Sequence, residues 1–251
     1  DVYVADKSAW LLSAMVGNMP SYFNASQVAD MVTRMLDTKA VCSELGVLEA
    51  IANLLKTDVF RSLVWSQMGV ADRVFRVQPR TAASPLIYKC VFCMWMLSYD
   101  EKIAMELKSY HVIKKIKEIL SYSRVEKVMR LCLTVLRNFL PHQELCEEIV
   151  EENLLESVQA LEFEKWRDQD LYEDIRFMVQ QISAQISDMS NFDRYLKELH
   201  SGALTWGFIH SSKFWSDNVL KFEENGFSAL KMLASLLLNH GTDAQTLAVA
   251  C

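Results

Sequence analysis

A pattern that recurs every 42 residues is the strongest constraint on how this chain folds. Each copy starts with a punctuating residue, continues with two small or apolar residues, and has apolar residues at its sixth and ninth positions. The copies start at Gln27, Gly69, His111 and Asn153, so that successive starts are always 42 residues apart. HEAT and armadillo repeats span roughly 40–47 residues. The spacing therefore predicts a solenoid of stacked helical repeats.

The punctuating residues also predict the turn that precedes the second helix of each repeat. Gly69 and Asn153 tolerate a left-handed backbone, which a sharp turn between two helices requires. His111 and Gln27 suit that conformation less well, and we expect a different turn at those two positions.

One complete repeat is readable between Asp100 and Leu140. Asp100 is a suitable N-cap for a short helix that buries Ile103 and Leu107. A medium and a long helix follow, and their apolar residues fall at helical spacing. These residues are Val112, Ile113, Ile116, Ile119 and Leu120, and then Val125, Val128, Met129, Cys132, Val135, Leu136 and Phe139. We predict an all-α fold, an armadillo/HEAT-like right-handed superhelical solenoid of three-helix repeats of about 42 residues.

The repeats end before the chain does, and this predicts the domain organisation. Residues 1–199 are expected to form an N-terminal armadillo-like domain that lacks its first repeats. Its first helix, over 6–19, is expected to turn Trp10, Leu11, Ala14 and Met15 inward. The aromatic, Gly- and Ser-punctuated residues 200–214 are expected to form a linker. Residues 215–251 would then be the start of a truncated C-terminal armadillo-like domain.

Charge is distributed unevenly along the chain. The net charge of −6 argues against a nucleic-acid-binding surface, which should be strongly basic. Between Glu144 and Asp174, twelve carboxylates face only two cationic residues. This acidic block, with Glu151 and Glu152 as candidate contacts, is either a docking surface for a basic partner or a solvated helix face.

Two loops contain further candidate partner contacts. The segment RVQPRTAA between two helices contains Arg76 and Arg80. The segment FEKWRDQD places Trp166 between charged residues, where it is either a lid over helix ends or an anchor for a partner.

The glycines, cysteines and histidines carry no recognisable motif for catalysis or cofactor binding. The seven glycines form no phosphate-binding motif of the GxxxxGK or GxGxxG type. Cys90 and Cys93 form a CxxC within an apolar helix, which favours core thiols over zinc or redox chemistry. The histidines lie at turns and helix ends, and no nucleophile has a catalytic signature around it. We therefore expect no enzyme active site, no cofactor and no metal.

The remaining cysteines and the hydropathy pattern bear on the compartment. The six cysteines are mostly on apolar stripes, which favours reduced thiols of a cytosolic protein. No uninterrupted apolar run approaches the roughly 20 residues of a membrane span.

Several blocks of the sequence resemble one known family. They include FRVQPRTAASPLIYKCVFCMWMLSYD, SYHVIKKIKEILSYSRVEKVMRLCLTVLRNFL and WGFIHSSKFWSDNVLKFEENGFSALKMLASLL. In these blocks the chain is similar to the H subunit of the vacuolar-type proton-translocating ATPase (V-ATPase), and the similarity covers essentially its whole length. The segment Trp206–Trp215 matches the family's linker and the entry to its second domain. The resemblance thus assigns linker or hinge roles to Trp206, Gly207, His210, Ser211, Ser212, Phe214 and Trp215.

The resemblance implies a non-catalytic regulatory subunit that bridges the soluble ATP-hydrolysing sector and the membrane sector. Its first domain would bind the peripheral stalk formed by the E and G subunits, and its second the soluble domain of the a subunit. It would be needed for coupled proton transport and vacuolar acidification, and would restrain ATP hydrolysis by detached catalytic-sector subunits. It would lie on the cytosolic face of endomembranes and touch the membrane only through the complex.

An alternative from another class is an armadillo-repeat adaptor that binds extended peptides or cargo. Adaptors of that type repeat Trp and Asn four residues apart on their long helices. Here Tyr99 follows Trp95 at that distance, and Thr134 precedes Asn138, so that ladder is missing. Tight binding of a basic peptide would favour the adaptor.

Overall fold

The computed structural model describes residues 1–37, 42–188, 191–239 and 241–250. These residues form α-helices and short 3-10 helices, and no β-strand occurs among them, so the predicted all-α fold is confirmed. The chain divides into two compact units, Asp1–Ser183 and Ala184–Cys251.

Helices follow one another along the first unit in a recurring order of short, medium and long, as the sequence predicts. They are α1 (Val2–Asn18), α2 (Ala25–Leu36), α3 (Glu44–Leu55), α4 (Asp58–Trp65), α5 (Val70–Phe75), α6 (Ser84–Leu97), α7 (Glu101–Leu107), α8 (Val112–Tyr122), α9 (Glu126–Phe139), α10 (Gln143–Glu151), α11 (Leu154–Ala160) and α12 (Gln169–Asp188). Short 3-10 helices cover Pro20–Tyr22, Lys108–Tyr110 and Leu161–Phe163. The right-handed superhelix stays a prediction.

A left-handed residue precedes each medium helix from the third repeat onward. Gly69, His111 and Asn153 have φ angles of 95°, 53° and 52°, and they precede α5, α8 and α11. The expectation of a different turn at His111 is wrong, because its backbone adopts the same conformation as its counterparts. At the fourth position Gln27 lies inside α2, where it forms a capping box with Asn24. A capped helix start therefore replaces the left-handed turn there.

Consecutive repeats of the first unit stack on each other. The long helices pack in chain order, α1 on α3, α3 on α6 and α6 on α9. Hydrogen bonds between residues about one repeat apart join the stack. Trp65 Nε1 donates to Glu106 Oε2 at 2.6 Å, and Lys115 Nζ donates to the Val77 carbonyl at 2.8 Å. Such contacts between neighbouring repeats are what hold a solenoid together.

The repeat between Asp100 and Leu140 has the predicted cap and nearly all of the predicted core. The Asp100 carboxylate accepts hydrogen bonds from the backbone N–H groups of Lys102 and Ile103. All the predicted inward residues of the short and medium helices are buried, and so are those of the long helix except Val125, which is 36% exposed. Val125 precedes the first turn of α9 as its N-cap, where it is not covered by the neighbouring helices.

The buried face of α1 differs from the predicted one. Ala9, Ser13 and Val16 are buried, whereas Trp10, Leu11 and Met15 are exposed. Because α1 is apolar around most of its circumference, its sequence does not distinguish the face that packs on α3.

The second unit is built around aromatic side chains. Its α-helices are α13 (Asn191–Ser201), α14 (Ser212–Asp217), α15 (Val219–Leu238) and α16 (Ala244–Ala250), with a 3-10 helix over Phe208–His210. Within α15, Asn225, Gly226 and Phe227 have positive φ angles of 51–64°. This is where the sequence pattern predicts a new punctuating residue, two positions before Phe227.

The division between the units precedes the predicted end of the first domain. The sequence places residues 184–199 in the first domain, whereas in the structure they belong to the second unit. The buried Tyr195 of α13 explains this, since its ring contacts those of Phe214, Trp215 and Phe222 at 5.3–5.5 Å.

Candidate partner-binding surfaces

The two predicted arginines occupy exposed positions between α5 and α6, and each contacts another repeat. Arg76 Nε lies 2.8 Å from Glu44 Oε1, an ion pair with the preceding repeat. The Arg80 guanidinium lies 5.0 Å from the ring centroid of Tyr122, at the end of α8, and donates to its hydroxyl. Both arginines therefore join repeats to each other, and their roles as partner contacts stay predictions.

The two predicted glutamates lie at the end of α10. Glu151 is exposed, and Glu152 is half-buried and caps the helix. Lys117 Nζ of α8 donates to the Glu152 carbonyl, so a cation of the neighbouring repeat stabilises the negative end of α10. Partner binding by either carboxylate stays a prediction.

Glu148, one turn earlier on α10, is in a less favourable environment. Its Oε2 is buried and has no hydrogen-bond partner among the described residues. Burial raises the pKa of the Glu148 carboxyl, although the charges of Lys108 and His111 act in the opposite direction. The cost of desolvating the carboxylate thus exceeds the attraction of these cations.

Trp166 is half-buried and is held by hydrogen bonds within its own repeat. Its indole N–H donates to the Leu161 carbonyl at 2.8 Å, and its backbone N–H donates to the Tyr172 hydroxyl at 3.0 Å. The Tyr172 hydroxyl donates in turn to the Glu164 carbonyl at 2.8 Å. Trp166 therefore braces the turn between α11 and α12, which is what the lid interpretation requires.

A groove of about 390 Å³ lies between α8 and α11. It is lined by Leu120, Ser121, Arg124, Glu156, Ser157, Ala160, Leu161 and Glu164. The Arg124 guanidinium donates to carbonyls at the end of α8, and its Nε lies 3.2 Å from Glu164 Oε1. Phe163, between two lining residues, is 88% exposed. Sequence reasoning does not find this groove, although Tyr122 and Phe163 both end medium helices, 41 residues apart.

Most residues of the predicted linker lie inside the second unit. Phe214 and the ring of His210 are buried, and Trp215 stacks on Phe222 with 4.3 Å between ring centroids. His210 Nε2 lies 2.8 Å from Glu198 Oε2.

The other three linker residues and Trp206 lie at the edge of this core. Ser211 caps α14, which begins at Ser212, and Gly207 has an extended backbone. Trp206 is 67% exposed. A hinge role for any linker residue stays a prediction.

The cysteines of the CxxC are core thiols. Cys90 and Cys93 are fully buried, and burial raises the pKa of the Cys90 thiol to about 12 and that of Cys93 further. Cys90 donates to the Val74 carbonyl, and Cys251 lies outside the described residues. Protonated, enclosed thiols are poor nucleophiles and metal ligands.

Metal ligands and membrane-spanning helices would each leave a recognisable arrangement of side chains. Within the ranges that the structure describes, no group of three or more His, Cys, Asp or Glu side chains is placed to hold a metal ion. None of the helices described is long and apolar enough to cross a membrane.

The peptide ladder of adaptor proteins is absent from the described long helices. Asn138 donates to Ser98 Oγ at 2.8 Å, so its amide joins two repeats of this chain. Trp95 is half-buried, and its indole nitrogen is enclosed without a hydrogen-bond partner among the described residues.

Stacked helices, polar links between repeats and an open groove define a helical-repeat scaffold. Two family models, both described as the H subunit of the V-ATPase, match residues 5–182 and 188–251. The chain therefore belongs to the V-ATPase H-subunit family.

Individual relatives are similar to this chain over most of its length. The V-type proton ATPase H subunit of Dictyostelium discoideum is 28% identical over 96% of the chain and 55% of the relative. That of Drosophila melanogaster is 29% identical over 82% of the chain and 45% of the relative. A probable V-type proton ATPase H subunit of Caenorhabditis elegans, the one numbered 2, is 30% identical over 73% of the chain and 41% of the relative. The chain thus spans about half the length of the curated relatives that it matches.

Proposed function

We propose that this chain is a non-catalytic regulatory and stator subunit of a V-type proton-pumping ATPase. It bridges the soluble ATPase sector and the membrane sector, is needed for coupled proton transport, and restrains ATP hydrolysis by the detached sector. The observation that carries the proposal is the match of one chain to both H-subunit family models, over residues 5–182 and 188–251.

The packing of the first unit supports a mechanical role. A stator resists torque, so its repeats must not slide past each other. Side chains join neighbouring repeats at many points, including Arg130 to Asp168 at 2.6 Å and Lys108 to Glu144 at 3.2 Å. Exposed ion pairs are individually weak. Stacked above a continuous apolar core, they add directional links that oppose shear.

The proposed partners follow from the family. The first unit binds the peripheral stalk formed by the E and G subunits, and the second binds the soluble domain of the a subunit. Catalytic-sector subunits are the target of the regulatory effect. The chain acts on the cytosolic face of the membrane and touches lipid only through the complex.

Binding of the chain to purified E–G heterodimer tests this proposal. We expect a Kd in the micromolar range or tighter. An Arg76→Ala/Arg80→Ala variant and a Glu151→Gln/Glu152→Gln variant identify the face that docks, and thermal unfolding of each checks that the fold is retained. Absence of binding by the unmodified chain, together with tight binding of a basic peptide along its long helices, would favour the adaptor function instead.

A further inference from the structure

We propose that Phe163 and the groove between α8 and α11 bind an arginine-bearing segment of a protein partner. The inference rests on the proposed function only for the identity of that partner. Its basis is a contact within the chain that recurs one repeat later without its cation.

The contact is the stacking of Arg80 on Tyr122. Arg80 comes from the preceding repeat, 42 residues earlier, and its guanidinium lies 5.0 Å from the Tyr122 ring centroid. Cations are attracted to the faces of aromatic rings in this arrangement. Phe163 ends the next medium helix segment, and the residue 42 positions before it is Ser121, which lines the groove and has no charge. Phe163 remains 88% exposed.

The turn that presents Phe163 is held in place from behind. The Leu161 carbonyl accepts a hydrogen bond from the Trp166 indole, and the Glu164 carbonyl accepts one from the Tyr172 hydroxyl. The residues on both sides of Phe163 in the sequence are therefore tethered. A ring presented by a braced turn loses little conformational freedom when a partner covers it.

Charge in the groove selects a cationic partner. Arg124 is occupied by the carbonyls at the end of α8 and by Glu164. Glu156, in the groove wall, forms no hydrogen bond or ion pair with any residue that the structure describes. The surrounding segment Glu144–Asp174 carries twelve carboxylates and two cations, whereas the chain as a whole carries a net charge of −6. The rest of the chain is thus net positive, and basic partners are drawn to this repeat.

Arginine fits both parts of the site. Its planar guanidinium stacks on an aromatic ring while its N–H groups donate to a carboxylate. One side chain can therefore cover Phe163 and pair with Glu156, and an adjacent apolar residue of the partner can enter the groove beside Leu120 and Leu161.

Two matched pairs of variants test the proposal in the full chain. Phe163→Ala is compared with Tyr22→Ala, which removes another ring of the first unit that is 79% exposed. Glu156→Gln is compared with Asp30→Asn, which removes an exposed carboxylate of α2. The probes are a synthetic amphipathic peptide of arginine and leucine, its counterpart with glutamate in place of arginine, and the purified E–G heterodimer.

We expect Phe163→Ala to weaken binding of the arginine peptide about tenfold, as loss of a central aromatic contact does. Glu156→Gln should weaken it about threefold, and both control variants should bind as the unmodified chain does. Equal affinity of Phe163→Ala and the unmodified chain, or tighter binding of the glutamate peptide, would overturn the proposal. Binding of the heterodimer without Phe163-dependent peptide binding would do the same and leave the proposed function standing. Phe163-dependent peptide binding without heterodimer binding would support the site and contradict the proposed function.

Discussion

Asn53 donates from its side-chain amide to the hydroxyl of Ser13 at 3.1 Å, and both side chains are buried between α1 and α3. Ser13 also donates to the Trp10 carbonyl, and Lys56 donates to Asn53 Oδ1. This small polar network fixes which face of α1 meets α3. A buried polar group that loses its partner costs more than the hydrogen bond contributes.

The first prediction concerns this pair. Ser13→Ala and Asn53→Ala should each lower the free energy of unfolding by about 1–3 kcal/mol. The double variant should lose less than the sum, because the two residues share one hydrogen bond. Urea unfolding followed by circular dichroism measures all three, and strictly additive losses would show that the pair is not coupled.

The left-handed turn at Gly69 gives a second prediction. A Cβ there would meet only Leu36 Cδ1 at 3.9 Å, so that the cost of Gly69→Ala comes from the φ angle of 95° and not from a clash. Ala should lower the free energy of unfolding by about 1–2 kcal/mol. Gly69→Asn should cost less, because Asn153 holds the equivalent turn with φ 52°. Thermal unfolding compares the two variants, and equal losses would contradict the backbone explanation.

The elements that sequence reasoning predicts correctly are those whose signal is local. Ile113 and Ile116 face the core because a period of 3.6 residues is readable on α8 itself. The prediction for Trp10 is wrong because α1 is apolar almost all round, and its buried face depends on Ser13 meeting a residue 40 positions away. The boundary near Ser183 could not be predicted for a similar reason, since Tyr195 packs on rings that follow it by about 20 residues.

The candidate site was predictable only in part. The charges of Glu151 and Arg80 are evident from the sequence, but the contact of Arg80 with Tyr122 depends on how two repeats stack. The groove beside Phe163 forms between α8 and α11, so its existence likewise depends on tertiary packing.

A third prediction concerns pH and Glu148, whose pKa burial raises. The unfolded chain releases this proton near the ordinary Glu pKa of about 4.3, whereas the folded chain retains it to higher pH. The stabilising effect of the proton is complete below that value and is lost as the pH rises through the raised pKa.

Glu148→Gln should therefore stabilise the chain at pH 7, by less than about 1 kcal/mol because the residue is only partly buried. The advantage should vanish below pH ~4. Thermal unfolding across this pH range measures it, with Glu173→Gln on the exposed side of α12 as control. A loss of stability at pH 7 would show that attraction to Lys108 and His111 dominates.

Thiol labelling gives a fourth prediction. Cys90, Cys93 and Cys132 are fully buried and burial raises the pKa of each, so they should resist alkylation by iodoacetamide in the folded chain at pH ~8. Cys42, which is only partly buried, should react before them. Mass spectrometry of the labelled peptides gives the order, and denatured chain provides the control in which all react. Fast labelling of Cys90 in folded chain would mean that α6 opens locally.

The fifth prediction separates core from surface in the segment expected to be a linker. Phe214 is 4% exposed and its ring contacts that of Tyr195 at 5.3 Å, whereas Trp206 is 67% exposed. Phe214→Ala should destabilise the second unit by about 3–5 kcal/mol, and Trp206→Ala should leave its stability nearly unchanged. Amide hydrogen exchange of peptides from α13 reports on the second unit alone within the full chain. Phe214→Ala should accelerate that exchange and Trp206→Ala should not. Equal acceleration by both would mean that Trp206 also stabilises the second unit, and its exposed ring would no longer be a candidate contact for the a subunit.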